Sequence, residues 1–192
     1  MPIEIEAKFK VQSLQNIRER LSHSQGSILK IVLESNVFFD TPQKDLLKTD
    51  QGLRIRSMTD LQTGHVKVVS THKGPRAKGL LKSRSENELE IESLEAGWRF
   101  FEAIGYVPTI QFEKKRETWV LGPVKVELDT LALLGFFIEI EGPSEQSVME
   151  AAGLLGLANE KFLTESYAAL LDAAVQADPS GCKSVTFAQY PV

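Results

Sequence analysis

The sequence predicts an α+β chain: antiparallel strands that can close into a β-barrel, with amphipathic helices packed outside. Three observations carry this reading. Segment after segment alternates apolar and charged residues with a period of two, the pattern of a strand with one apolar face. The charges are sorted into acid pairs and basic pairs at i, i+2 rather than mixed. Short stretches at helical spacing punctuate the strands and can cover their apolar faces.

The elements follow in order. Ile3, Ile5, Ala7 and Phe9 alternate with Glu4, Glu6, Lys8 and Lys10, a first strand. Leu14, Ile17 and Leu21 stand at helical spacing. Residues 31–39 read as a strand that stops at Asp40-Thr41-Pro42, a turn signal. Leu53-Arg54-Ile55-Arg56 alternates, and so does Val66 to Lys73, ended by Gly74-Pro75. From Arg84 to Glu92 one parity is wholly charged. Residues 93–105 form a helix with Leu94, Trp98, Phe101 and Ile104 on one face and Ser93 as cap. Further strands carry Lys114 and Arg116, then Lys125, Glu127 and Asp129, then Glu139 and Glu141. Pro143-Ser144 opens a helix with Val148, Ala151, Ala152 and Leu155, and Thr164 can cap a last helix with Tyr167, Leu170 and Leu171. Residues 1–175 are expected as one domain and 176–192 as a flexible tail.

Composition narrows the function classes. At 192 residues, about one domain is expected. Hydrophobic residues at 42% and charged residues at 25% exclude a wholly disordered, collagen-like or coiled-coil chain. No apolar run approaches the ~18 residues of a membrane helix, and the first residues form no apolar signal segment. The single cysteine, Cys182, cannot form an internal disulfide, and no Cys/His cluster suits zinc. A cytoplasmic location is therefore expected. The net charge of −4 argues against a mainly basic nucleic-acid binder. Neither a nucleic acid nor a membrane is expected as partner; a homodimer is left open.

The sorted charges point to chemistry. Residues at i, i+2 share a strand face, so acid pairs on neighbouring strands can surround a hard cation with oxygens. Arg and Lys pairs suit a polyanion, because guanidinium grips phosphate in a bidentate way. Inside a barrel, acids and bases together are costly without a ligand. A triphosphate with Mg²⁺ or Mn²⁺ answers that cost: metal on carboxylates, phosphates on bases.

Eight blocks then resemble the CYTH family, the triphosphate tunnel metalloenzymes. They are Glu4-Ile5-Glu6-Ala7-Lys8, Phe38-Phe39-Asp40-Thr41, Leu53-Arg54-Ile55-Arg56, Thr71-His72-Lys73-Gly74-Pro75, Arg84-Ser85-Glu86-Asn87-Glu88, Lys114-Lys115-Arg116, Leu128-Asp129 and Leu134 to Glu141. Ser166-Tyr167 with Leu170-Leu171 is similar to the closing helix. The resemblance implies an eight-stranded antiparallel tunnel. It implies Glu4, Glu6, Asp129, Glu139 and Glu141 as metal ligands, with Glu86 and Glu88 for a second ion. Lys8, Arg54, Arg56, Lys73, Arg84, Lys114 and Arg116 would contact the triphosphate. Glu4, Glu6 and Lys8 are the implied catalytic residues. Asp129 matches the family better than Glu127.

Within the family the chain looks most like class IV adenylyl cyclases, which convert ATP to cyclic AMP and pyrophosphate. A phosphohydrolase of tripolyphosphate, thiamine triphosphate or a nucleoside triphosphate is the alternative, and a non-catalytic polyphosphate- or nucleotide-binding module the third. His72, off the parity of Lys73, reads as structural. Trp98 and Phe101 read as core, and Phe38 and Tyr167 as packing residues. Lys78 and Lys82 read as solvated or steering residues, and Glu90 and Glu92 as rim or surface residues.

Overall fold

The computed structural model describes residues 3–77, 82–175 and 183–192, with the backbone alone for Ile3, Glu4, Lys82 and Ser83. The alternating segments become β1 (Ile3–Val11), β2 (Ser27–Asp40), β3 (Gly52–Asp60), β4 (Val66–Lys73), β5 (Lys82–Glu90), β6 (Val107–Leu121), β7 (Val124–Leu131) and β8 (Gly135–Gly142). They pair antiparallel in the order β2-β3-β4-β5-β1-β8-β7-β6, and β6 pairs back onto β2. The pairings form a closed circuit of eight antiparallel strands, as the sequence predicts.

Closure inverts the usual assignment of faces. The apolar parities of β1, β7 and β8 and the middle of β2 and β3 point outward and are buried beneath helices; the sorted acid and basic pairs point inward. Ala7 and Phe9 on β1, Val126 and Leu128 on β7, and Ile138 and Ile140 on β8 pack with Ile17 and Leu21 of α1 (Gln15–His23) and Val148, Ala151 and Ala152 of α4 (Glu145–Leu154). A bidentate pair from Arg18 to Glu117, at 3.0 and 2.8 Å, fixes α1 against β6. Val37, Phe39, Ile55 and Val68 pack under α3 (Leu94–Ala103) through Phe101, with Trp98 beside them, so both aromatics are core. Gly97 makes this approach possible. A Cβ there would stand 2.5 Å from Ile91 Cδ1 and 2.8 Å from Ile55 Cδ1.

The helices start at hydroxyl caps, which accept the otherwise orphaned first-turn amides. Ser93 accepts from Ala96 N–H and Ser144 from Ser147 N–H. The last helix, α5 (Tyr167–Ala174), is capped by Ser166 and not by Thr164. Thr164 stands too far upstream, in the stretch where Leu163 N–H donates to Lys8 C=O.

Several features differ from the expectation. β2 starts at Ser27, ahead of the expected 31–39, and β6 runs from Val107 through Pro108. Pro108 sits opposite Phe39 where the register shifts, a place where the missing N–H interrupts no regular ladder. A short helix, α2 (Asp45–Lys48), was not signalled; its first amides are held by the Asp40 carboxylate. The tail is a further difference. Residues 176–182 lie outside the described residues, but Lys183–Val185 form β9, parallel to β6. Val185 is fully buried, and Phe187 and Tyr190 pack on the same cluster as Tyr167 and Leu171. A flexible tail therefore does not describe residues 183–192.

Candidate functional site

The barrel encloses a cavity of about 850 Å³. Strand parity aims the side chains into it, so one element supplies a charge at every second residue. Of the residues predicted for the site, Glu6, Lys8, Arg54, Arg56, Lys73, Arg84, Glu86, Glu88, Lys114, Arg116, Glu139 and Glu141 all line this single cavity. Glu4 is on the same parity of β1, with its backbone opposite Arg84, and its side chain lies outside the described residues.

The charges are interlocked. Lys8 Nζ stands 3.2 Å from Glu139 Oε1, donates to Glu165 C=O at 3.0 Å, and sits 4.0 Å above the Tyr167 ring. Arg116 pairs with Asp129 and with Glu139. Lys73 pairs with Glu86. Arg56 reaches Glu34 and Glu88, each at 3.4 Å. Arg84 reaches Asp50 at 3.4 Å. Arg54 differs. Among the described residues its side chain makes no ion pair and no hydrogen bond, and its Nε is buried without a partner. Burial first and then the neighbouring Arg56 lower its pKa to about 10, against the pull of Glu34 and Glu86.

Asp129 is placed differently from the metal-ligand role that the resemblance implies. It is fully buried and does not line the cavity. Its oxygens accept from Arg116 Nε at 2.7 Å, Lys114 Nζ at 3.2 Å and the Tyr167 hydroxyl at 2.8 Å. In this structure it anchors the two bases of β6 from behind.

Other residues of the site went unflagged. Glu34 is almost wholly buried between Lys114 and Arg56. Burial alone would raise its carboxyl, but Lys114, Arg56, Arg116 and Arg54 together hold it well below the carboxylate range. Glu127, which the resemblance ranks behind Asp129, lines the cavity and accepts from Thr118 Oγ1 at 2.7 Å. Asn36 lines it with both amide atoms unpartnered among the described residues. The signal for Glu34 and Asn36 was present, since both share the parity of Phe38 on β2. Tyr167, read as packing, is both packing and site. Its hydroxyl meets Asp129, and burial followed by the Asp129 and Glu139 charges pushes its pKa well up. Phe38 stacks on Phe112 at 6.0 Å between ring centres and lines the cavity.

At one rim, Arg76 Nε and N–H both bind Asp50, and Arg76 donates to Thr164 C=O at 3.1 Å. Outside the cavity, His72 meets Gln51 at 2.9 Å, a structural contact. Glu90 is exposed and pairs with Lys67, and Glu92 is exposed. Lys78 lies outside the described residues, as does the side chain of Lys82.

Comparison with known proteins gives the same picture. The model of the CYTH domain matches residues 2–167. A Methanocaldococcus jannaschii protein named "Putative adenylate cyclase MJ0240" is 26% identical over 174 residues, covering 86% of this chain and 96% of that protein. The PH1819 protein from Pyrococcus horikoshii OT3 superposes with a TM-score of 0.76 at 30% identity, over 90% of this chain and 99% of that one. A Hippeastrum protein described as a "putative adenylyl cyclase" with "a dominant triphophatase activity" superposes with a TM-score of 0.69 at 22% identity. That match covers 94% of this chain and 99% of the other, and it speaks to fold. Among the described residues no helix is long and apolar enough to cross a membrane.

Proposed function

The chain belongs to the CYTH domain family, and on that premise we propose that it is a divalent-metal-dependent enzyme acting on a small-molecule triphosphate, most like a class IV adenylyl cyclase making cyclic AMP and pyrophosphate from ATP. The observation that carries the reading is one cavity whose walls bring together seven bases of the right kind and a set of carboxylates interleaved with them. A simple anion binder has no use for the carboxylates.

The donor set suits Mg²⁺ or Mn²⁺. Glu6 stands opposite Glu141 across β1 and β8, and Glu127 opposite Glu139 across β7 and β8; all four line the cavity. Like charges directly opposite on a sheet are unfavourable alone and favourable around a cation. Among the described residues no three acids are already gathered as a cage, and Glu139 is engaged by Lys8 and Arg116. Glu4, Glu6, Glu139 and Glu141 would hold the ion, with Glu86 and Glu88 on β5, the strand paired with β1 on the side away from β8. Bound there, it would neutralise phosphate charge and polarise the reacting oxygens.

The chain's own residues do the rest. Arg54, Arg56, Lys73, Arg84, Lys114 and Arg116 align the phosphate chain, and Lys8 contacts it beside Glu6. Catalysis is alignment and charge neutralisation. In the cyclase reaction the ribose 3′-oxygen bonds to the α-phosphorus, the bond to the bridging oxygen breaks, pyrophosphate leaves, and the hydroxyl proton passes to solvent. A second reading, triphosphate hydrolysis with water as nucleophile, is favoured by the activity described for the Hippeastrum protein.

The test is a product assay with ATP, tripolyphosphate and thiamine triphosphate, each with Mg²⁺ or Mn²⁺. Cyclic AMP with pyrophosphate supports the cyclase. Orthophosphate without cyclic AMP assigns the hydrolase. Binding without turnover of any of the three would overturn the enzymatic reading.

A further inference from the structure

The buried amide of Asn36 has no place in the chemistry described so far. Asn36 is 0% exposed, and neither Nδ2 nor Oδ1 has a hydrogen-bond partner among the described residues. An unpaired buried amide is costly, and native proteins rarely keep one without a use. It faces the cavity, so ordinary core packing does not explain it.

Its neighbours define what it could meet. Asn36 lies directly opposite Arg56 on β3 and two residues along the ladder from Arg54, which faces Phe38. On its other side it lies opposite Phe112 on β6. Arg54 Nε and Arg56 Nε are buried without partners as well. Three residues on two paired strands that line one cavity therefore carry N–H donors without a partner among the described residues. Arg54 brings a positive charge with no carboxylate in ion-pair range among the described residues. A carboxylate at position 36 would cancel that charge. A neutral amide preserves it and adds a donor.

We propose that Asn36 is a substrate-contacting residue, which with Arg54 and Arg56 forms a seat for one phosphoryl group of the triphosphate. Nδ2 donates to a non-bridging oxygen of that group, while the two guanidinium groups supply the charge. The seat depends on the triphosphate reading of the tunnel and makes it more specific: one phosphoryl position is recognised by a neutral donor as well as by charge.

The test separates a ligand-binding amide from a structural one. Tripolyphosphate is titrated calorimetrically into wild type, Asn36→Leu and Asn36→Asp with a chelator present, so that no turnover consumes it. Thermal unfolding of the ligand-free proteins is measured in parallel. A hydrogen bond to a charged partner corresponds to roughly a tenfold to hundredfold change in affinity. Asn36→Leu is expected to melt at or above the wild-type temperature and to bind more weakly by that factor. Asn36→Asp is expected to bind more weakly still, because its carboxylate pairs with Arg54 and repels phosphate. Wild-type affinity in either folded variant would overturn the proposal. A lower melting temperature for Asn36→Leu with unchanged affinity would make Asn36 structural. Should Asn36→Leu fail to fold, Asn36→Asp carries the same decision. No binding by wild type at all would overturn the tunnel reading and the seat with it.

Discussion

The substitution Asp129→Asn separates two roles for one carboxylate. The family resemblance implies a metal ligand, whereas in the structure Asp129 faces inward but is fully buried under Lys114, Arg116 and Tyr167. Every group around it is a donor: Lys114 Nζ, Arg116 Nε and the Tyr167 hydroxyl. Asparagine preserves the volume but removes the charge and turns an N–H₂ donor toward other donors. Charge-assisted bonds are worth about 1.5–3 kcal/mol each, but bonds sharing one carboxylate do not add. The measured cost of breaking a buried ion pair, about 3–5 kcal/mol, is the better figure. For a chain of this size 1 kcal/mol moves Tm by about 2–4 °C, so the expected fall is about 6–20 °C. Thermal unfolding by circular dichroism reads this, and Mn²⁺ titration of the folded variant reads metal binding. The Mn²⁺ affinity is expected to change far less than in Glu6→Gln. An Asp129→Asn protein of near-wild-type Tm that has lost Mn²⁺ would refute the reasoning and return Asp129 to the ligand set.

Three further outcomes are expected. Glu34, held well below its ordinary pKa of 4.5 by four cations despite its burial, contributes stability that is complete above that value and is lost as pH falls below it. Glu34→Gln should therefore be less stable than wild type at pH 7 and flatter between about pH 5 and 2; parallel acid-unfolding curves would contradict this. Gly97→Ala forces a Cβ against Ile91 and Ile55 and should cost about 1–3 kcal/mol by overpacking, measured by urea unfolding, with unchanged stability counting against the packing of α3. Arg56→Ala should weaken tripolyphosphate binding more than orthophosphate binding in calorimetry, and equal losses would count against a contact along the phosphate chain.

Much of this was legible because alternation is a one-dimensional signal. The parity of Glu6 and Lys8 against Ala7 and Phe9 assigns faces, and sorted charges on many strands imply that the charged faces meet one another. What alternation does not encode is depth. Asp129 has the parity of Glu127, but Arg116 lies opposite it and Tyr167 of α5 covers it, so it faces inward without reaching the cavity. Glu34 shares the parity but carries no family signal, because only the C-terminal end of β2, Phe38 to Asp40, resembles a family block. The packing of residues 183–192 left no trace, because β9 is three residues long and its burial is decided by where β6 and α5 place their side chains.

The ligand-free charges also say how an anion has to be received. Lys8, Arg56, Lys73, Arg84, Lys114 and Arg116 each already have a carboxylate partner within the protein. Buried pairs of this kind hold side chains in place without adding much net stability, because desolvation offsets attraction. A phosphate chain approaching these six bases replaces one anionic partner by another, so its net gain at each is small. At Arg54 nothing has to be displaced among the described residues, and its burial has already lowered its pKa to about 10. The first phosphoryl group is thus worth most at Arg54. The paired bases instead fix the direction in which the rest of the chain is laid, and carboxylates released from them become available to a cation. On the proposed function, selectivity for a chain of phosphates over a single one would follow from that division between one uncompensated charge and six preoriented ones.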